Sequence, residues 1–77
     1  MALLRPEQVR AARALLRWGV RDLADRAGIS PNTVSSFETR SAAQYGTLVK
    51  IERALTDAGI IFIEADEHGG PGVRLLR

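Results

Sequence analysis

Residues 23–37, LADRAGISPNTVSSF, decide the fold of this chain. Leu23, Ala24 and Ala27 have the spacing of one apolar face on a short helix. Gly28 follows directly, and a residue without a Cβ adopts the left-handed conformation that ends a helix at little cost. The first half of the stretch therefore predicts a short helix that ends at Gly28.

The second half of the stretch predicts another helix after a tight turn. Ser30 is a good N-cap and Pro31 a good first helical residue, and Val34 and Phe37 give the new helix an apolar face. Two helices that cross steeply need a small residue where they approach most closely, and Ala24 is well placed for that contact. This helix-turn-helix arrangement presents its second helix to the major groove of DNA. The sequence therefore predicts a small, sequence-specific DNA-binding protein.

The composition fits one small globular domain. The chain has 77 residues, 45% hydrophobic and 26% charged, near the lower limit for a self-sufficient core. It has no cysteine, so disulfides and thiolate metal sites are excluded. We expect no metal, no cofactor and no small-molecule ligand, and we expect burial against a partner chain to add stability.

Charge is distributed unevenly along the chain, whose net charge is +2. Residues 1–18 carry four arginines and one glutamate, whereas residues 59–77 carry two arginines and three acidic residues. This pattern suits a chain that docks on phosphates with one end, although surface charge for solubility explains it equally well. No apolar run approaches the ~20 residues of a membrane span, and the start lacks a signal-peptide pattern. We expect a cytoplasmic protein that does not bind membranes.

Local signals place the other elements. Helix 1 begins near Pro6, Gly19 marks the break before helix 2, and helix 4 ends at Gly59. The expected ranges of helices 2 and 3 are 20–27 and about 31–39. After Gly59 the hydrophobic pattern no longer has the period of a helix, because IIFIEA and VRLL are extended runs around the loop DEHGGPG. We expect a mainly α fold, with a four-helix domain at 1–59 and a C-terminal β-hairpin at 60–77.

With four helices placed this way, residues 9–58 resemble the lambda-repressor-like domain of Cro/XRE-family transcriptional regulators. The segment GIS…TVSSFE is similar to the recognition segment of that family, and LVKIERAL to its fourth helix. The tail GIIFIEADEHGGPGVRLL resembles an extension of many small bacterial and phage members. The resemblance implies DNA binding by helix 3 and a bacterial or phage origin.

The resemblance also implies particular contacts. Members often pair an arginine of helix 1 with a glutamate late in helix 3, here Arg13 and Glu38. The pairing has an independent physical reason, since a partly buried glutamate near a helix C-terminus needs a cation. Members often begin helix 2 with a glutamine that contacts DNA, but this chain has Val20 there. Phosphate anchoring at helix 2 then depends on backbone N–H groups or Arg21.

The outer face of helix 3 holds the candidates for reading bases. Helical geometry places Asn32, Thr33, Ser36 and Thr39 there. Asparagine reads adenine with two hydrogen bonds, and serine and threonine contact several bases or a thymine methyl. Two alternatives stay open: Thr33 reaches back to cap the helix at Ser30, and Ser36 is merely small and solvated.

Phosphate contacts are expected from basic residues around that face and from the start of helix 4, where N–H groups can face a phosphate. The candidates are Arg10, Arg17, Arg21, Arg40, Gln44, Tyr45 and Thr47. An equally good interpretation of Tyr45 is that it covers the edge of the core. Trp18 is expected to pack, and His68, which lacks a second metal ligand, is expected to be a solvated loop residue.

The sequence bears on three classes of function. The leading hypothesis is a homodimeric repressor of phage, plasmid or mobile-element type that reads an inverted repeat in double-stranded DNA. The alternative is the antitoxin of a toxin–antitoxin pair, which binds both DNA and a toxin. An enzyme is rejected, because no nucleophile, base and oxyanion site can be assembled from these residues.

The hairpin is the expected dimerisation element, because a lone two-stranded hairpin is marginal in water and we expect the helices to offer it little core. Pairing with a second copy would bury its apolar side chains around a two-fold axis. The interface candidates are Ile61, Phe62, Ile63, Val73 and Leu75. In the alternative, the hairpin folds back onto its own helices.

Overall fold

The structure, a computed structural model, describes residues 4–76, which form four helices and a two-stranded antiparallel sheet. The elements are α1 (Pro6–Leu16), α2 (Val20–Ala27), α3 (Pro31–Arg40), α4 (Tyr45–Asp57), β1 (Ile60–Ile63) and β2 (Gly72–Leu75). The expected fold class is confirmed. Helix α3 is one residue longer than expected and α4 ends two residues before Gly59. In this part of the chain no helix has the length and apolarity needed to cross a bilayer.

The core is built from one apolar face of each helix and the first residue of the hairpin. Its largest fully buried side chains are Phe37, Leu23, Ile51, Leu55, Val9 and Val34, and Ile60 of β1 is also buried. Leu23 and Val34 lie on the two helices of the motif, so their burial fixes α3 against α2. The opposite face of α3 is thereby directed to solvent.

Left-handed residues end the first two helices, but only one of them is a glycine. Gly28 has a φ of 71° after α2, as the sequence predicts. Arg17 ends α1 with a φ of 58°, and Gly19, which the sequence predicts as the break before helix 2, is the N-cap residue of α2. The N–H groups of Arg17 and Trp18 donate to the carbonyls of Ala14 and Arg13, at 3.1 and 2.9 Å. These bonds satisfy the last turn of α1 and offset the strain at Arg17.

The hairpin packs on the helices of its own chain. Phe62 pairs with Val73, Ile60 pairs with Leu75, and these four side chains belong to or pack against the core. The expectation that the helices offer the hairpin little core is therefore wrong. The reason is that β1 and β2 each contribute an apolar face, which α1 and α4 cover. Only Ile61 and Ile63 of the expected interface residues are turned outward.

A buried glutamine joins the hairpin to α1. The Nε2 group of Gln8 donates to the carbonyls of Gly72 and Ile63, at 3.0 and 3.3 Å. Its Oε1 accepts from the N–H of Arg5 at 3.0 Å, so it also caps the start of α1. Every polar atom of a side chain that is only 6% exposed is thus satisfied. Gln8 therefore fixes the end of the hairpin to the helix that contacts α3.

Candidate nucleic-acid interface

The turn between α2 and α3 is held by short hydrogen bonds that set the direction of α3. The N–H of Ile29 donates to the carbonyl of Ala24 at 3.0 Å, which closes the end of α2. The Oγ of Ser30 accepts from the N–H of Thr33 at 3.1 Å, so Ser30 is the N-cap that the sequence predicts. Pro31 then begins α3, where its missing N–H removes nothing that the helix needs.

An ion pair fastens the C-terminal half of α3 to α1. The Nε and Nη2 groups of Arg13 donate to the two carboxylate oxygens of Glu38, both at 2.7 Å. The Nη1 group of Arg13 donates to the carbonyl of Trp18 at 3.0 Å. Glu38 is 7% exposed and the Arg13 side chain 18%, so solvent screens this pair only slightly. The residues that the resemblance pairs are therefore in direct contact.

Arg13 keeps its positive charge in this environment. The hydrogen bond to Glu38 raises the pKa of Arg13, its partial burial lowers the pKa, and the attraction of the Glu38 charge raises it further, with a net increase. A guanidinium is already protonated at any physiological pH. Arg13 therefore supplies a constant positive charge to the link between α1 and α3.

Arg10 makes a contact that the sequence did not predict. Its Nη1 group donates to the backbone carbonyl of Glu38, near the end of α3. A cation at this end of a helix is favourable, because the last carbonyls carry a partial negative charge. Arg10 is nevertheless exposed, so its expected phosphate contact stays a prediction. The contact shows that Arg10 also holds α3 in place.

The four predicted base-reading residues divide into two pairs. Asn32 and Ser36 are exposed, and neither side chain forms a hydrogen bond within residues 4–76. Thr33 is half-buried, and its hydroxyl lies 2.8 Å from that of Ser30. Thr39 is exposed, and its hydroxyl donates to the carbonyl of Ser35 one turn earlier. Only Asn32 and Ser36 thus offer polar groups that are not used inside α3.

Basic side chains lie at the end of α1, at the start of α2 and at the end of α3. Arg17, Arg21 and Arg40 are exposed and form no ion pair in the described part of the chain. The start of α2 is less open to phosphate than the sequence suggested, because Oδ2 of Asp22 accepts from the N–H of Gly19 at 2.8 Å. This carboxylate already stabilises the positive end of α2 and would repel a phosphate there. The N–H groups of the first turn of α2 and the exposed Arg21 stay the predicted phosphate contacts of this helix.

The start of α4 is not closed by a side chain. Gln44 is the N-cap residue, and its side chain does not accept from the first turn. Tyr45 is 68% exposed, so it does not cover the core, and Thr47 is half-buried. The N–H groups of this first turn carry the positive end of the helix dipole, which favours an anion. The geometry suits the phosphate contact expected for Gln44, Tyr45 and Thr47, which stays a prediction.

Two conspicuous residues lie outside this surface. The guanidinium of Arg26 lies 4.9 Å from the centre of the Trp18 ring, and Trp18 packs at the edge of the core. His68 is exposed in the loop of the hairpin, 3.6 Å from an equally exposed Glu67. Among residues 4–76 no group of three potential ligands could hold a metal ion. Trp18 therefore packs, as the sequence predicts, and His68 is a surface residue.

Sequence reasoning missed two residues of this region. Ser35 is exposed on the turn that precedes Thr39, and its carbonyl accepts from the hydroxyl of Thr39. The second is Gln8, which reaches the hairpin and caps α1. A signal for Gln8 exists, because a glutamine three residues after an N-cap is a known capping pattern. No local signal shows that the same side chain binds two strands.

Comparison with known families agrees with this geometry. The sequence profile of a helix-turn-helix family of Cro/C1 type matches residues 9–56, which is more than half of the chain. The chain belongs to this helix-turn-helix family. No curated protein matches the chain in sequence. The family comprises DNA-binding transcriptional regulators, and the matched residues include all of α2 and α3.

Proposed function

We propose that this helix-turn-helix regulator is a repressor that binds an inverted-repeat operator as a homodimer, with α3 of each copy in the major groove. The observation that carries the proposal is the division of α3 into two faces. Val34, Phe37 and Glu38 are buried against the other helices, whereas Asn32 and Ser36 are exposed with unused polar groups. A helix anchored on one side and polar on the other suits direct base readout.

The four base contacts would then work in two ways. Asn32 and Ser36 would form hydrogen bonds with base edges, because their side-chain donors and acceptors have no partner within the described chain. Thr33 and Thr39 already use their hydroxyls inside the protein, so they would contribute their methyl groups to a thymine methyl. Asn32 lies in the first turn, the part of a recognition helix that enters the groove most deeply. It is the residue on which we expect base preference to depend most.

Phosphate contacts would supply most of the affinity. Arg17, Arg21 and Arg40 are exposed and free of ion pairs in the described chain, and the first turn of α4 adds N–H groups near Gln44 and Tyr45. Arg10 would contribute while it also holds the end of α3. Contacts of this kind position a protein on the duplex without reading sequence, and they weaken as counterions are added.

The short length of the recognition helix favours a dimer. One short helix contacts too few base pairs for useful specificity, and two copies would read matched half-sites about one helical turn apart, ~34 Å. The exposed pair Ile61 and Ile63 on the hairpin, 42% and 37% exposed, supports the hairpin as the place where two copies meet. The inward Phe62, Val73 and Leu75 would support that surface from below.

Selection of bound fragments from random DNA, followed by footprinting, tests this proposal. We expect an inverted repeat with two matched half-sites and an affinity that falls steeply with salt. Asn32→Ala should abolish or relax the base preference at one position per half-site, at about 1–3 kcal/mol per lost contact, with an unchanged melting temperature. Asp25→Ala is the matched control, because this exposed residue lies on α2. A single asymmetric footprint, or a site preference that survives Asn32→Ala, would contradict the proposal.

A further inference from the structure

One edge of the hairpin carries backbone groups that have no strand partner. The N–H of Leu76 donates to the carbonyl of Gly59 at 2.8 Å, and the ladder pairs Ile61 with Arg74 and Ile63 with Gly72. Hydrogen-bonded and non-hydrogen-bonded pairs alternate along an antiparallel ladder. The backbone groups of residues 60, 62 and 64 therefore point away from β2. Within the described residues the sheet has two strands, so this edge of β1 is unpaired.

The surroundings of this edge are open and partly apolar. A groove runs between β1 and α4, and it is lined by Ile60, Ile61, Phe62, Glu64, Glu52 and Thr56. On the outer face of the sheet, Ile61 and Ile63 are 42% and 37% exposed. An exposed strand edge beside exposed isoleucines is a template for another strand, and proteins normally cover such an edge.

We infer that β1 of a second copy covers this edge, antiparallel and centred on Phe62, which joins the two hairpins into one four-stranded sheet. The inference rests on the homodimer proposed above and specifies its contact. A second copy is the favoured occupant because the edge is complementary to itself. Centring on Phe62 pairs residue 60 with 64 of the other copy and 61 with 63, so all three edge residues take part. Centring one residue earlier or later leaves one of them without a partner.

The side chains agree with this register. It places each Ile61 directly opposite Ile63 of the other copy. These two isoleucines are exposed in the single chain, and in the dimer the four of them shield one another. The two-fold axis is perpendicular to the sheet, so both copies of α4 lie on the same side and face each other.

Disulfide trapping tests the register, because the chain has no cysteine of its own. Residues opposite each other in a non-hydrogen-bonded pair have Cα atoms about 4.5 Å apart, within the range that a disulfide spans. Ile61→Cys mixed with Ile63→Cys should therefore give a covalent dimer under mild oxidation. Each variant alone should not, since its two cysteines would be offset by two residues along the strands, with Cα atoms roughly 8 Å apart. Gly72→Cys mixed with Arg74→Cys is the matched control on β2 and should not cross-link.

Each other outcome overturns the inference. Cross-linking of Ile61→Cys alone or of Ile63→Cys alone would show a different register, and cross-linking of the β2 variants would show that the other strand pairs. Light scattering on the unmodified protein distinguishes a failure of the proposed register from a failure of the proposed homodimer. A monomer that does not dimerise on operator DNA contradicts the homodimer itself, whereas a dimer that gives no 61–63 cross-link contradicts only the register.

Amide hydrogen exchange on the unmodified chain provides a second test that needs no substitution. The amides of Ile60, Phe62 and Glu64 should exchange more slowly as the protein concentration rises through the monomer–dimer transition. The amides of Ile61 and Ile63 should be protected at every concentration, because they belong to the ladder with β2. Equal behaviour of the two sets across the transition would overturn the inference.

Discussion

Glu38→Ala removes the anion that fastens α3 to α1. The carboxylate accepts two hydrogen bonds at 2.7 Å, and its loss leaves the charge of Arg13, 18% exposed, with only the carbonyl of Trp18 as a protein partner. Removing one member of a fully buried ion pair costs about 3–5 kcal/mol. Because Arg13 keeps some contact with water, we expect the lower end, about 3 kcal/mol. In a domain of this size each kcal/mol lowers Tm by about 4–8 °C, so Tm should fall by about 12–24 °C.

Thermal and urea unfolding followed by circular dichroism measure this change. Asp25→Ala is the control, since it removes an exposed carboxylate that has no ion pair in the described chain, and it should change stability by less than about 0.5 kcal/mol. The double variant Glu38→Leu with Arg13→Met should recover much of the loss, because no unpaired charge is left inside. A Glu38→Ala protein within about 1 kcal/mol of the original would refute the reasoning. So would a double variant less stable than the single one.

Three other substitutions test how the elements are held. Gly28→Ala should destabilise by about 1–2 kcal/mol through its left-handed backbone alone, because a new Cβ there meets no atom within 4 Å; an unchanged urea midpoint would contradict this. Arg17→Gly should raise stability by up to about 1 kcal/mol and weaken binding to all DNA sequences alike, which melts and salt titrations check together; a loss of site preference would assign Arg17 to base reading instead. Gln8→Leu should cost about 2–3 kcal/mol, because two strand carbonyls and the N–H of Arg5 lose their partner, and it should speed amide exchange in β2. Unchanged exchange there would mean that Gln8 does not hold the hairpin.

The parts of the fold that local chemistry determines could be predicted from the sequence. Pro6, the Ser30–Pro31 pair and Gly28 give the starts of α1 and α3 and the end of α2 where they are observed. The end of α1 could not be predicted, because arginine has no preference for the left-handed conformation of Arg17. That conformation depends on Trp18, whose N–H and carbonyl both bind to Arg13.

In the candidate site, periodicity predicts which side chains are exposed, but it does not predict their hydrogen bonds. Helical spacing was enough to predict that Asn32, Ser36 and Thr39 are exposed. It could not show that the hydroxyl of Thr39 binds a backbone carbonyl, since a serine or threonine hydroxyl can bond either to water or to a carbonyl of the preceding turn. For Thr33, capping and base reading stood as open alternatives, and its hydroxyl lies within hydrogen-bond distance of Ser30. Spacing also gave no sign that Arg10 reaches the end of α3.

The packing of the hairpin could not be predicted, because its first strand is apolar on both faces. In IIFI every residue favours burial, so alternation cannot tell which pair turns inward, and a shift of one residue would reverse the choice. The second strand decides, since Val73 and Leu75 alternate with Gly72 and Arg74. The inward face of β1 must lie beside Val73 and Leu75, which leaves Ile61 and Ile63 outside.

Two apolar faces on one short strand then have a consequence for the proposed dimer. One face joins β1 to the same core that holds α3, and the isoleucines of the other face would lie beside those of the second copy. The distance between two recognition helices would then be set through packed elements and not through a flexible linker.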